Sequence, residues 1–288
     1  MHIILAIALA LIIIIGLFLI VLHLGFRAPK IKETKTPLDI GIQFEEVSIP
    51  VAKSKKLFGW LLPYSSSTET LIILHGWGGN CEVMLPIAAP FYKKGMNILL
   101  IDSRGHGKSD SDTFSSLPRF AEDLGDAIDW LKKEQPLLSQ KIALLGHSVG
   151  AGAALFEASK RDDIDAVISV SAFAHPQWIM TRFLKGLRLP SFLVKIILKY
   201  VEWLIGHPYS SFAPLKTVCT IRAPILIVHG KDDKTIPISD AHAIMSHCPE
   251  SHLELFEVDD ADHESVDKFE EHSHTLINFL AKAGFNFT

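Results

Sequence analysis

The stretch Ile142-Ala143-Leu144-Leu145-Gly146-His147-Ser148-Val149-Gly150, running on into Ala151-Gly152-Ala153-Ala154, decides the fold. Four apolar residues, a Gly-x-Ser-x-Gly pentapeptide and a run of small residues spell a strand, a sharp turn and a helix, with the serine at the apex. Glycine on either side of the turn is expected, because a Cβ there would strike neighbouring backbone. Ser148 is then displayed beside the N-terminus of the following helix. There the Val149 N–H can stabilise an oxyanion as the hydroxyl attacks a carbonyl. The pentapeptide alone also fits a glycine-rich turn with a capping serine, so the reading needs partners.

Two partners follow in chain order. Pro224-Ile225-Leu226-Ile227-Val228 reads as a buried strand and leads into His229-Gly230-Lys231-Asp232-Asp233-Lys234-Thr235-Ile236-Pro237. A carboxylate just past the end of a parallel strand can reach an imidazole at the same sheet edge, and Asp232 competes with Asp233 for that place. The alternating run 253–258 enters Asp259-Asp260-Ala261-Asp262-His263-Glu264-Ser265, which puts His263 on the loop after the last strand. Nucleophile, acid and base are thus expected as Ser148, Asp233 and His263. Asp260 and Asp262 read as loop-capping or solvating carboxylates. His242, His247, His272 and His274 have no ligand spacing, so no metal or other cofactor is expected.

These motifs resemble those of the α/β-hydrolase superfamily, and most closely its Bem46-like and monoacylglycerol-lipase-like esterase branch. The likeness covers residues 44–284 and includes two further motifs. Leu71-Ile72-Ile73-Leu74-His75-Gly76-Trp77-Gly78-Gly79-Asn80 is similar to the family's oxyanion loop, which implies that the Trp77 N–H joins that of Val149 in the oxyanion hole. Ile101-Asp102-Ser103-Arg104-Gly105-His106-Gly107-Lys108-Ser109 is similar to a structural turn of the family, and no chemistry is assigned to His106. The family pattern Asp-x-x-Val-Pro maps onto Asp233-Lys234-Thr235-Ile236-Pro237, which favours Asp233 as the acid. A serine at the elbow, where the dehalogenase and epoxide-hydrolase branches carry aspartate, implies an acyl-enzyme route.

The N-terminus adds an expectation of a different kind. From Met1 to Phe26 there is no Asp, Glu, Lys or Arg, and 3–22 is apolar apart from Gly16. At ~1.5 Å per residue that run can cross a ~30 Å hydrocarbon core, so 1–26 reads as one transmembrane helix and not a cleaved signal peptide. Arg27, Lys30, Lys32 and Lys35 follow it, which by the positive-inside rule puts the catalytic domain on the cytoplasmic side of the membrane. Three cysteines without framework spacing agree with a reducing compartment. Residues 27–43, with Pro29, Pro37 and alternating charge, read as a juxtamembrane tether.

Residues 44–288 form one domain of ordinary length for an α/β fold. Antiparallel edge strands are expected at 44–49 and 56–62. A mostly parallel sheet follows from 70–74, 97–101, 141–145, 166–170, 225–228 and 252–258, with helices near 118–133, 149–160, 239–247 and 265–283. The stretch of about 172–218 breaks this rhythm and reads as a helical cap insertion. In 191–205 the charges Lys195, Lys199 and Glu202 form one narrow stripe, leaving two apolar sides. Such a cap favours a lipid-derived ester or thioester, and its one carboxylate disfavours an aminopeptidase, which must hold a free amine. Acyl transfer or peptide cleavage on the same triad, and a non-catalytic membrane scaffold with the hydrolase fold, are the rival readings. The net charge of −4 excludes a strongly basic nucleic-acid binder.

Overall fold

A computed structural model describes residues 2–249 and 252–287, without the side chains at 3, 8, 11, 12, 14, 15 and 22. In chain order the main elements are α1 (His2–Gly25), β1 (Glu45–Val51), β2 (Lys55–Leu62), β3 (Glu69–Leu74), α2 (Leu85–Lys93), β4 (Asn97–Ile101), α3 (Leu117–Glu134), β5 (Lys141–His147), α4 (Val149–Ala158) and β6 (Ala166–Val170). They continue with α5 (Pro176–Gly186), α6 (Ser191–Ile205), α7 (Pro214–Thr217), β7 (Ile225–Gly230), α8 (Ser239–His247), β8 (Leu253–Val258), α9 (Val266–Glu271) and α10 (Ser273–Lys282). Among the described residues, eight strands lie in the order β1-β2-β4-β3-β5-β6-β7-β8. The β1–β2 and β2–β4 pairs are antiparallel and every other pair is parallel, as expected for an α/β-hydrolase sheet.

Successive side chains of a strand point to opposite faces, and both faces of this sheet are covered. Ile72 and Leu74 of β3 join a core with Phe120 and Leu124 of α3, Ala154 of α4 and Leu184, Val194 and Ile197 of the cap helices α5 and α6. Leu71 and Ile73 face the other way, onto Ile87 and Phe91 of α2, Phe269 of α9 and Leu276 and Leu280 of α10. The parallel pairing aligns the strand ends, with Leu74 opposite both Ile101 and Gly146. All the loops that leave those ends therefore meet along one edge. At the opposite edge, Glu69 accepts from the Asn286 N–H (2.7 Å) and side-chain amide (2.8 Å), and Lys141 donates to the Gly284 carbonyl.

Two readings are corrected. The helix α2 went unread because Pro86 and Pro90 disguise it. Pro86 stands in the first turn, where its missing N–H is not needed, and the carbonyl left unpaired by Pro90 is that of Pro86 itself. The helix expected over 265–283 is two helices that meet at His272. Within the expected tether of 27–43, residues 27–35 lie against the domain.

The membrane-anchor expectation falls on α1, a continuous helix of 24 residues. Its described side chains are largely exposed, and among the described residues no helix is long and apolar enough to cross a membrane. Several side chains of α1 lie outside the described set, and the anchor is taken up below as a proposal.

Candidate active site

Ser148 links β5 to α4 with φ 55° and ψ −116°, a conformation that costs a non-glycine residue free energy and is held by the chain around it. The glycines have the reason the sequence suggested. A Cβ on Gly146 would lie 2.2 Å from the Gly150 carbonyl oxygen, and one on Gly150 would lie 2.4 Å from that of His75. The Ser148 N–H donates to the Val170 carbonyl at 2.9 Å, which ties the elbow to β6.

The imidazole of His263 lies between serine and acid. Its Nε2 is 3.0 Å from Ser148 Oγ and its Nδ1 is 2.8 Å from Asp233 Oδ2. The other Asp233 oxygen accepts from the Thr235 and Ile236 N–H groups at 2.9 and 2.7 Å. A carboxylate held in this way accepts from Nδ1–H, so Nε2 is left as the basic nitrogen facing the hydroxyl. Asp233 is buried whereas Asp232 is exposed, which separates the two rivals. Asp262 caps its own loop, accepting from the Glu264 N–H at 3.0 Å and the Ser265 hydroxyl at 2.7 Å.

Ser148 is enclosed and not displayed, being only 8% exposed. The elbow lifts it off the strand, but the loop after β3 closes over it, and the position of a Cβ on Gly76 is 3.1 Å from Ser148 Cβ. That loop carries Trp77, the residue after Gly76, and Val149 directly follows the serine in the chain. Val149 is the first residue of α4, where an N–H has no carbonyl of its own helix to bond.

Residues beyond those five hold the arrangement. His147 donates from Nε2 to the carbonyl of His263 itself at 2.9 Å, linking the nucleophile turn to the loop of the base. Burial, and then the neighbouring His263, push its imidazole down to about 4, so it stays neutral. His229 donates from Nε2 to the Ile236 carbonyl at 2.7 Å and braces the Asp233 turn; burial holds it below the usual imidazole range. His75 donates to the Gly76 carbonyl at 2.7 Å and accepts from the Ser103 N–H at 3.1 Å, which joins the Trp77 loop to the turn after β4. Asp102 in that turn accepts from the Cys81 N–H at 2.7 Å and the Lys108 N–H at 2.8 Å. His147 stood at the variable place of the pentapeptide, and only the contact with a residue 116 positions away reveals its use.

Residues 65–211 match the family model described as serine aminopeptidase, S33. Among curated proteins, the chain is 25% identical over 252 residues to a yeast protein described as uncharacterized membrane protein YNL320W, covering 87% of this chain and 84% of that one. It is 26% identical over 252 residues to the Escherichia coli K12 protein YfhR, with 83% and 81% covered. Among solved structures, an esterase of Pyrococcus furiosus, Pf2001, superposes with a TM-score of 0.75 at 25% identity, covering 90% of this chain and 97% of that one.

Proposed function

The chain belongs to the serine aminopeptidase S33 family and is an α/β-hydrolase esterase, and from that premise we propose that it is a membrane-anchored serine esterase of lipid-like acyl substrates. One observation carries the chemistry: the unbroken line from Ser148 Oγ through His263 to Asp233, at 3.0 and 2.8 Å. His263 Nε2 takes the hydroxyl proton as Oγ attacks the acyl carbon. Asp233 stabilises the imidazolium and keeps its ring in place. The negative charge that grows on the acyl oxygen is met by the N–H groups of Val149 and Trp77, aided by the N-terminus of α4. His263 returns its proton to the leaving oxygen, and the acyl-enzyme forms on Ser148. Water, deprotonated by the same nitrogen, then releases the acid. No step calls on a metal or organic cofactor.

An ester is preferred to a peptide N-terminus because the cap's one carboxylate, Glu202, is already engaged. It pairs with Lys199 at 3.0 Å and accepts from the Tyr209 N–H at 3.0 Å, which leaves it poorly placed to hold a substrate amine. The preference for lipid rests on α1 and the cap. Ile4, Leu5, Ile7, Leu9, Ile13 and Phe18 are exposed on all sides of α1, and a helix apolar all round needs an apolar surrounding. The basic residues that follow it favour a cytoplasmic catalytic domain.

Hydrolysis of p-nitrophenyl esters of two to sixteen carbons in detergent micelles tests the reading. Turnover that needs Ser148 and rises with chain length supports it. A maximum at two to four carbons overturns the lipid preference, and turnover unaffected by Ser148→Ala overturns the mechanism.

A further inference from the structure

Residues 26–35, the link between α1 and the sheet, are strapped across the loops beside the serine. The Ser115 N–H donates to the Phe26 carbonyl at 2.8 Å, Arg27 Nε to the Thr113 carbonyl at 3.3 Å and Lys30 to the Ser109 carbonyl, so one side of the strap grips the turn after β4. Its other side grips the loop that carries Trp77. Asn80 donates to the Ile31 carbonyl at 3.0 Å, and the Glu82 carboxylate accepts from the Thr34 and Lys35 N–H groups at 2.6 and 3.2 Å. Pro29 Cγ lies 3.1 Å from where a Cβ on Gly78 would stand. The loop thus has a contact from the strap at 78, 80 and 82, while Asp102 holds Cys81 between them.

Glu33 lies at the centre of this seam. Both its carboxyl oxygens are buried, and neither finds a hydrogen-bond donor. Its Oε1 and Asp102 Oδ2 crowd the same point, 2.5 and 1.9 Å from the position of a Cβ on Gly107. Two ionised carboxylates in such a place repel each other and lack donors, so one proton belongs to the pair.

We propose that the strap is a positioning part of the active site: Glu33, donating its carboxyl proton to Asp102, pins the strap to the turn that holds Cys81, and thereby fixes the loop that presents the Trp77 N–H to the acyl oxygen. This rests on the assignment of Ser148 and Trp77 above. Burial, followed by the hydrogen bond and the charge of Asp102, holds the Glu33 carboxyl up at about 7. The groups that face it are Asp102 and Lys108 of the turn and the Cys81 thiol of the loop; Asp102 retains the proton on Glu33, and Lys108 acts in the opposite sense. The seam is therefore closed below about pH 7 and loosens above it.

Steady-state kinetics of the full chain in detergent micelles, on a short p-nitrophenyl ester, tests this. Glu33→Ala is expected to lower kcat by about ten- to a hundredfold, the scale of a displaced oxyanion donor, with KM within about twofold. Glu33→Gln, whose amide can donate to Asp102, is expected to restore kcat. In the wild type kcat falls as pH rises through about 7, and Glu33→Gln abolishes that fall. Wild-type kcat in Glu33→Ala overturns the proposal, as does a loss of kcat and melting temperature shared equally by both variants. Should Glu33→Ala not fold, an alkaline fall that persists in Glu33→Gln overturns it. Turnover insensitive to Ser148→Ala is a separate result, since it removes the reading of the site on which the strap's role depends.

Discussion

At the scale of single residues, the site is built from positions where one atom more would not fit. Gly150→Ala would place a methyl 2.4 Å from the His75 carbonyl oxygen and 2.6 Å from that of Leu74, both rigid backbone at the end of β3. The expected cost is about 1–3 kcal/mol or more, read as a fall in melting temperature of roughly 2–4 °C per kcal/mol, together with a loss of kcat as the Trp77 loop is pushed aside. Gly152→Ala on the same helix is the control. Its methyl would meet the Leu117 side chain at 2.7 Å, and a side chain can move where a carbonyl cannot. The three residues of the nucleophile line were legible in the sequence because each follows an apolar strand and sits in a run of turn-forming residues. His147 and Glu33 were not: a histidine inside a motif, and a glutamate in a stretch without periodicity, gain meaning only from partners far along the chain.

At the scale of elements, the cap helix α6 has two unlike sides. Val194, Ile197, Leu198 and Val201 are buried and join the core, whereas Phe192, Ile196 and Trp203 are 62, 57 and 75% exposed, at spacings that place them together on the opposite side. Lys195 and Lys199 stand next to them and are also exposed. Apolar side chains interleaved with lysines suit an anionic lipid surface. Replacing Phe192 and Ile196 with Asp is expected to reduce turnover of long-chain esters presented in anionic micelles severalfold, and to leave turnover of soluble two-carbon esters as it was. An equal effect on both would show the surface to be mere packing. The charge pattern of 191–205 announced this two-sidedness, and the strands were equally plain. The helix α2 stayed hidden because proline is read as a breaker even where the geometry admits it.

At the scale of the whole molecule, the strap and α1 belong to one continuous segment, so anything that holds α1 in a bilayer sets the distance from the bilayer to the active-site edge. Alkaline carbonate extraction of membranes from an expressing cell is expected to leave the full chain in the pellet and, if the cap and strap only dock, to leave it there also after the Phe192 and Ile196 substitutions. Release of the full chain by carbonate would remove the anchor from the proposal. The other end of the chain is fixed just as firmly, but on the far side. Asn286 is clamped to Glu69, and Gly284 to Lys141, where β3 and β5 begin, a sheet's length from Ser148. A reporter dye or a surface linker joined after that clamp would therefore hang from the back of the molecule, and an immobilised enzyme would turn its serine-bearing edge toward the solution.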